Sequence, residues 1–143
     1  MPDPTPNPIF KILITVPVAA VDENGHVNNV QYVQWMQDIA VQHYTHLGGV
    51  TPTQATGATW VVRSHQVEYF RPAYLGEQIE GRTWVANLRR VRSLRRYEFV
   101  RLSDGATLVR GATEWVFVDA QSGSPRLIPP AVAQLFTLLP DPK

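Results

Sequence analysis

The stretch from Asn29 to Leu47 constrains the fold of this chain most. Its apolar residues (Val30, Tyr32, Val33, Trp35, Met36, Ile39, Ala40, Val41, Tyr44, Leu47) recur at spacings of three and four, which is the period of a helix with a wide apolar stripe. The positions between them are mainly glutamines (Gln31, Gln34, Gln37, Gln42), and Asp38 is the only formal charge. A long helix so poor in charge is expected to be covered on most of its sides. Asn28 and Asn29 stand where an N-cap is needed, because an asparagine side chain accepts a bond from a free backbone N–H. Gly48-Gly49 end the helix as a C-cap does.

The segments around this helix read as strands. Residues 9–18 form a β-rich run that Pro17 ends or turns to an edge, since proline cannot donate to a ladder. After a Thr/Pro/Gly loop at 51–58, residues 59–70, 78–90, 94–102 and 107–118 are rich in Val, Thr, Tyr, Trp and Phe. Pro72 to Gly76, Arg89 to Ser93 and the Asp104-Gly105 pair separate them, the last a hairpin signal. Gln121 to Pro125 reads as a loop, and Pro130 to Leu139 as a short terminal helix with proline at its start. One strand, one long helix and four strands joined by short turns make an α+β domain, with a largely antiparallel sheet packed on the helix. The domain is expected over 9–139, between a flexible Pro-rich tail at 1–8 and a flexible tail at 140–143. Charged residues make up 17% of the 143 residues, against about 25% in ordinary soluble domains, so part of the surface is expected to be hidden in an oligomer. No apolar run reaches the ~20 residues of a membrane helix. The absence of cysteine excludes a thiolate nucleophile and a cysteine-ligated zinc site. With no secretion signal at the N-terminus, the default location is cytoplasmic.

The chemistry concentrates in Asp22-Glu23-Asn24-Gly25-His26-Val27-Asn28-Asn29-Val30-Gln31-Tyr32. A carboxylate, an amide and an imidazole precede the start of a helix, where free N–H groups and a positive dipole end favour negative charge. A carboxylate base beside an oxyanion site is the minimum equipment for hydrolysing an acyl compound. On their own terms, Asp22 and Asn24 are also favoured turn residues, and Tyr32 and Trp35 suit a core or a pocket wall.

The run D-x-N-x-H-V-N-N-x-x-Y, leading into a long helix and then an antiparallel sheet, resembles the hot-dog-fold thioesterases. These include the 4-hydroxybenzoyl-CoA thioesterase group and the related acyl-carrier-protein thioesterases. The resemblance spans roughly residues 10–130. It includes Val67-Glu68-Tyr69-Phe70-Arg71-Pro72-Ala73-Tyr74-Leu75-Gly76-Glu77 and Trp115-Val116-Phe117-Val118-Asp119. It implies a five-stranded antiparallel sheet wrapped around one long central helix. It also implies hydrolysis of an acyl-CoA thioester to free acid and CoA, with no metal or organic cofactor. By position, the family's catalytic carboxylate falls on Asp22 as base or nucleophile, and its carbonyl-polarising backbone N–H falls near Asn29. Asn24 and His26 match the assisting residues of the plant acyl-carrier-protein enzymes. Those enzymes carry a Glu-Cys pair on a later strand, roughly where this chain has Pro72-Ala73, so their full mechanism does not transfer. The resemblance further implies a homodimer or homotetramer with the acyl group between subunits. The substrate is acyl-CoA or an acyl carrier protein, and the alternative to an enzyme is a non-catalytic module that binds acyl-CoA.

Other residues fit around this frame. Asn28 reads as the N-cap of the helix and, with Asn29, as part of the oxyanion site that binds substrate, and Tyr32 and His65 as candidates to line the substrate site, His65 from a neighbouring subunit. Ten of the eleven arginines lie between Arg63 and Arg110. This basic half on a chain of net charge +1 suits a phosphorylated small partner rather than nucleic acid. Arg89, Arg90 and Arg92, with Arg95 and Arg96, flank a turn and either grip the phosphates of coenzyme A or form a solvated hairpin. His43 and His46 stand three apart but lack a third ligand, so they read as exposed or interface residues rather than a metal site.

Overall fold

A computed structural model describes residues 7–143, so residues 1–6 of the expected tail lie outside the described residues. The elements are β1 (Phe10–Thr15), α1 (Asn29–His46), α2 (Val50–Ala55), β2 (Ala58–Tyr69), β3 (Gln78–Arg89), β4 (Arg92–Arg101), β5 (Thr107–Asp119) and α3 (Pro130–Ala133). The strands form one five-stranded antiparallel sheet in the order β1-β3-β4-β5-β2, with α1 packed on one face. This is the α+β hot-dog architecture. Among the described residues no helix is long and apolar enough to cross a membrane.

The helix forms where the local signals place it. The Asn28 side chain accepts the Val30 N–H at 2.9 Å, an N-cap bond. At the other end the Gly49 N–H bonds Tyr44 O and the Gly48 N–H bonds Thr45 O, both at 3.0 Å, with Gly48 at φ +80°. This pair of bonds is a Schellman motif, and it satisfies two carbonyls that the helix would otherwise leave open. Tyr32, Trp35, Met36, Ile39, Ala40 and His43 are the residues α1 buries. Two glycines let the helix lie close to the sheet. A Cβ at Gly111 would stand 2.8 Å from Met36 Sδ, and one at Gly81 would stand 3.4 Å from Ile39 Cδ1 and 3.3 Å from Phe99 Cε1. Met36 and Ile39, both fully buried, therefore rest against bare backbone.

Strand parity sorts the side chains. Thr83, Tyr97, Gly111 and Val67 are cross-strand partners on the helix side, and Val85, Arg95, Thr113 and His65 form the next such row. On the opposite face Lys11, Arg82, Glu98, Arg110 and Glu68 are aligned, with Arg82–Glu98 at 3.2 Å and Arg110–Glu98 at 3.5 Å. Charges thus mark the outer face of the sheet.

The first strand stops before Pro17 and lies at a sheet edge, as expected, while the loop at 51–58 and the terminal helix differ from expectation. β1 ends at Thr15 because Pro17 opens a 3-10 turn over Val18–Ala20. The expected loop at 51–58 contains α2. Its β-branched residues and Pro52 read as a loop, yet Pro52 lies in the first turn, where its missing N–H costs nothing, and the Thr53 hydroxyl bonds Gly49 O at 2.7 Å. The terminal helix stops at Ala133, after which the Leu139 N–H bonds Val85 O at 2.9 Å. Within the stretch expected as a tail, Asp141 forms a two-point pair with Arg96, at 2.7 and 3.1 Å.

Candidate active site

The loop before α1 is a tight, tethered turn. The Asp22 N–H bonds His26 O and the Gly25 N–H bonds Asp22 O, both at 3.0 Å, with Gly25 at φ +82°. One Asp22 carboxylate oxygen accepts the Asn24 N–H at 2.9 Å, an Asx turn. No other hydrogen bond reaches that carboxylate among the described residues. Val27 N–H to Ala73 O (2.8 Å) and Asn28 N–H to Ala20 O (2.9 Å) pin the loop to the β2–β3 connection and to the 3-10 turn. His26 forms a bridge with Tyr74, and its ring lies edge-on to the Tyr74 ring at 6.1 Å.

At the helix start the first amides are divided unequally. Val30 N–H is taken by the Asn28 side chain and Gln31 N–H by Asn28 O at 2.9 Å, while Asn29 N–H has no acceptor among the described residues. A free amide at the positive end of a helix of 18 residues is where an anion is stabilised. The nearby Asn29 carbonyl accepts the Tyr69 hydroxyl at 2.9 Å, which links the helix start to the end of β2.

The remaining candidates are dispersed. Tyr32 is 2% exposed and packs edge-on against Trp35, Tyr69 and Phe99. Its buried hydroxyl has no partner among the described residues, and burial pushes its pKa up to about 12. His65 Nδ1 and Thr113 Oγ1 are 2.8 Å apart on the helix side of the sheet, and burial lowers the His65 pKa. Arg89 and Arg90 are exposed at the β3–β4 turn without a carboxylate partner among the described residues, whereas Arg92 meets Glu114 at 3.1 Å. Arg90 has φ +52°, a strained value for a side chain of this size.

Two expectations for the neighbouring residues need correction. His43 is not exposed: it is 7% exposed, stacked on Phe10 at 5.0 Å, and its pKa is drawn down to about 4 by burial and by Arg95. Arg95 does not flank the turn as a surface cation. It is 4% exposed, and one guanidinium nitrogen donates to His43 Nδ1 (2.8 Å) and Thr83 Oγ1 (3.1 Å). The available signal was parity, since Arg95 shares the inward alternation of Tyr97 and Phe99. Arg95 also lines a cavity of about 260 Å³ at the C-terminal end of α1, together with Tyr44, Trp60 and Trp115.

A central helix wrapped by this five-stranded antiparallel sheet is the hot-dog architecture. The profile of the thioesterase-like superfamily matches residues 16–136, and the chain belongs to that family. Thioester hydrolysis is the activity class it defines. Among solved structures, a 1,4-dihydroxy-2-naphthoyl-CoA thioesterase from Synechocystis superposes with a TM-score of 0.80 at 16% identity, over 89% of this chain and 94% of that one. A Staphylococcus aureus protein solved in complex with CoA gives 0.81 at 14% identity, over 89% and 80%. An acyl-ACP thioesterase from Bacteroides thetaiotaomicron gives 0.78 at 21% identity, over 84% of this chain but 49% of that one. No curated protein sequence matches the chain.

Proposed function

We propose that this protein hydrolyses acyl-CoA thioesters, with Asp22 as base or nucleophile and the Asn29 N–H as oxyanion donor. The observation that carries the reading is the unused Asn29 amide at the start of α1, beside a rigid turn that bears a carboxylate with one unbonded oxygen. A thiol leaving group has a pKa near ~8.5, so its expulsion needs no strong general acid. Asp22 either deprotonates water or attacks the carbonyl to give an anhydride that water opens. Charge growing on the carbonyl oxygen meets the helix N-terminus, an interaction worth ~3–4 kcal/mol per donor. Asn24 and His26 assist, Asn24 by fixing the Asp22 rotamer through its N–H. Coenzyme A is favoured over a carrier protein because the chain corresponds to nearly the whole of a CoA thioesterase but half of an acyl-ACP enzyme. Arg89 and Arg90, without carboxylate partners among the described residues, would take the nucleotide phosphates.

The working unit is a homodimer formed along β2. This strand is a long edge of the sheet with Val61 and Val62 exposed. Alongside it α1 presents Val30 (74% exposed), Gln34, Gln37 and Val41 (55% exposed), an uncharged stripe at intervals of three and four. Antiparallel pairing of β2 with its copy brings the Tyr69 end of one strand, which holds Asn29, beside the Trp60 end of the other. The acyl group then lies between subunits. The test is thiol release from a panel of aliphatic and aromatic acyl-CoAs by wild type and Asp22→Asn. The variant is expected to lose turnover by three orders of magnitude or more while keeping its fold and oligomeric state. Near-normal turnover would remove Asp22 from the chemistry.

A further inference from the structure

The cavity at the C-terminal end of α1 holds a cation that the mechanism above does not use. Arg95 is almost wholly buried, and no carboxylate lies within ion-pair distance of it among the described residues. Its two hydrogen-bond partners, His43 Nδ1 and Thr83 Oγ1, are neutral acceptors. His43 stays neutral because burial and Arg95 itself draw its pKa down to about 4, while Arg95, drawn to about 10, stays charged at neutral pH. A buried charge left without a counter-ion is costly, and evolution usually removes or pairs it. Elsewhere the cavity is walled mainly by apolar and aromatic side chains such as Ala40, Val41 and Trp60, with Gln54, Thr59 and Ser93 among them. The indole N–H groups of Trp60 and Trp115 are also buried and have no acceptor among the described residues, two further donors at the cavity wall. The site thus offers largely apolar walls, one cation, two spare indole donors and no acid among the described residues.

We propose that this cavity receives the far end of the acyl group, and that the group is short to medium in length and carries a second carboxylate that pairs with Arg95. The inference rests on the thioesterase reading and on β2 pairing, which sets the cavity of one subunit beside the Asp22 turn of the other. A volume of about 260 Å³ lies at the small end of ligand pockets and does not suit a long fatty chain. An apolar body with an anionic tip satisfies both the walls and the uncompensated guanidinium. An aliphatic acyl group of the same length would leave the guanidinium unpaired, so the site discriminates between them.

The experiment compares adipoyl-CoA with hexanoyl-CoA, which have equal chain lengths, in wild type, Arg95→Met and Arg95→Lys. In parallel, adipate and hexanoate are titrated against tryptophan fluorescence. Wild type is expected to favour adipoyl-CoA at least tenfold in kcat/KM, mainly through KM. Arg95→Met is expected to reverse the order, and Arg95→Lys to keep part of the preference. The wild-type comparison stands even if a variant folds poorly. Hydrolysis of both esters without preference for adipoyl-CoA would overturn the inference and leave the thioesterase reading intact. Arg95-dependent adipate binding without hydrolysis of any ester would do the reverse. Neither binding nor a preference for adipoyl-CoA would overturn the carboxylate site.

Discussion

Replacing Tyr32 by Phe should stabilise this protein, and increasingly so at alkaline pH. The Tyr32 ring is held by Trp35, Tyr69 and Phe99, so the variant keeps the packing and loses only the oxygen. That oxygen is buried and has no partner among the described residues. A buried polar group with no partner costs roughly 1–3 kcal/mol, and an apolar replacement of the same shape recovers it. At neutral pH a gain of about 1 kcal/mol should raise Tm by roughly 2–4 °C for a chain of this length. The raised pKa adds a pH dependence. Tyr32 shifts from 10.0 to about 12 in the fold, so between these values the unfolded chain has released a proton that the native state still holds. Wild-type stability from this group is complete below pH 10. It then falls by about 1.4 kcal/mol per pH unit, reaching about 2.7 kcal/mol by pH 12. Tyr32→Phe lacks that loss. Urea unfolding at pH 7 and at pH 11 would measure the two gaps, with thioester turnover followed alongside and expected to change less than twofold. A destabilised variant, a gap that does not widen with pH, or lost turnover would show that the hydroxyl has a partner or contacts substrate.

Other perturbations separate capping, phosphate binding and assembly. Asn28→Ala removes the side chain that holds the Val30 N–H and should cost about 1 kcal/mol in urea melts. It should also lower kcat more than tenfold at constant KM, with Asn28→Ser restoring both; unchanged kcat would detach the helix start from the chemistry. Arg89→Ala with Arg90→Ala should raise KM about tenfold for acyl-CoA and leave the matching acyl-pantetheine ester unaffected. Equal effects on the two esters would rule out nucleotide binding by this turn. Val61→Lys with Val62→Lys sets like charges across the proposed two-fold, and light scattering should then report a monomer without turnover. A dimer of normal activity would move the interface elsewhere.

Legibility in the sequence followed locality. The span of α1, its Asn28 cap and its Gly48-Gly49 end were readable because each depends on neighbours a few residues away, and β2 to β5 followed from runs of β-formers between turn residues. α2 was not, because a six-residue helix held by the hydroxyls of Thr53 and Tyr44 is too short to show a periodicity. The seats at Gly81 and Gly111 were also hidden, since only the approach of Ile39 and Met36 explains them. The Asp22 turn was found through its motif, and the spare Asn29 amide follows from the capping pattern itself. Arg95 and His43 were misplaced for a different reason: polarity sends such residues outward, and parity with Tyr97 and Phe99 was the weaker signal. Local rules fail most informatively where function overrides them. One such failure stands in this chain, the Arg95 cation by the last turns of α1, which has no carboxylate partner among the described residues, whereas the free amide at the first residue of α1 is what a capped helix start leaves. An 18-residue helix separates them by about 25 Å, too far for one short acyl group within one subunit. If both serve a single substrate, they must come from two copies, and the uncharged stripe on α1 and the open edge of β2 are the surfaces that would bring the copies together.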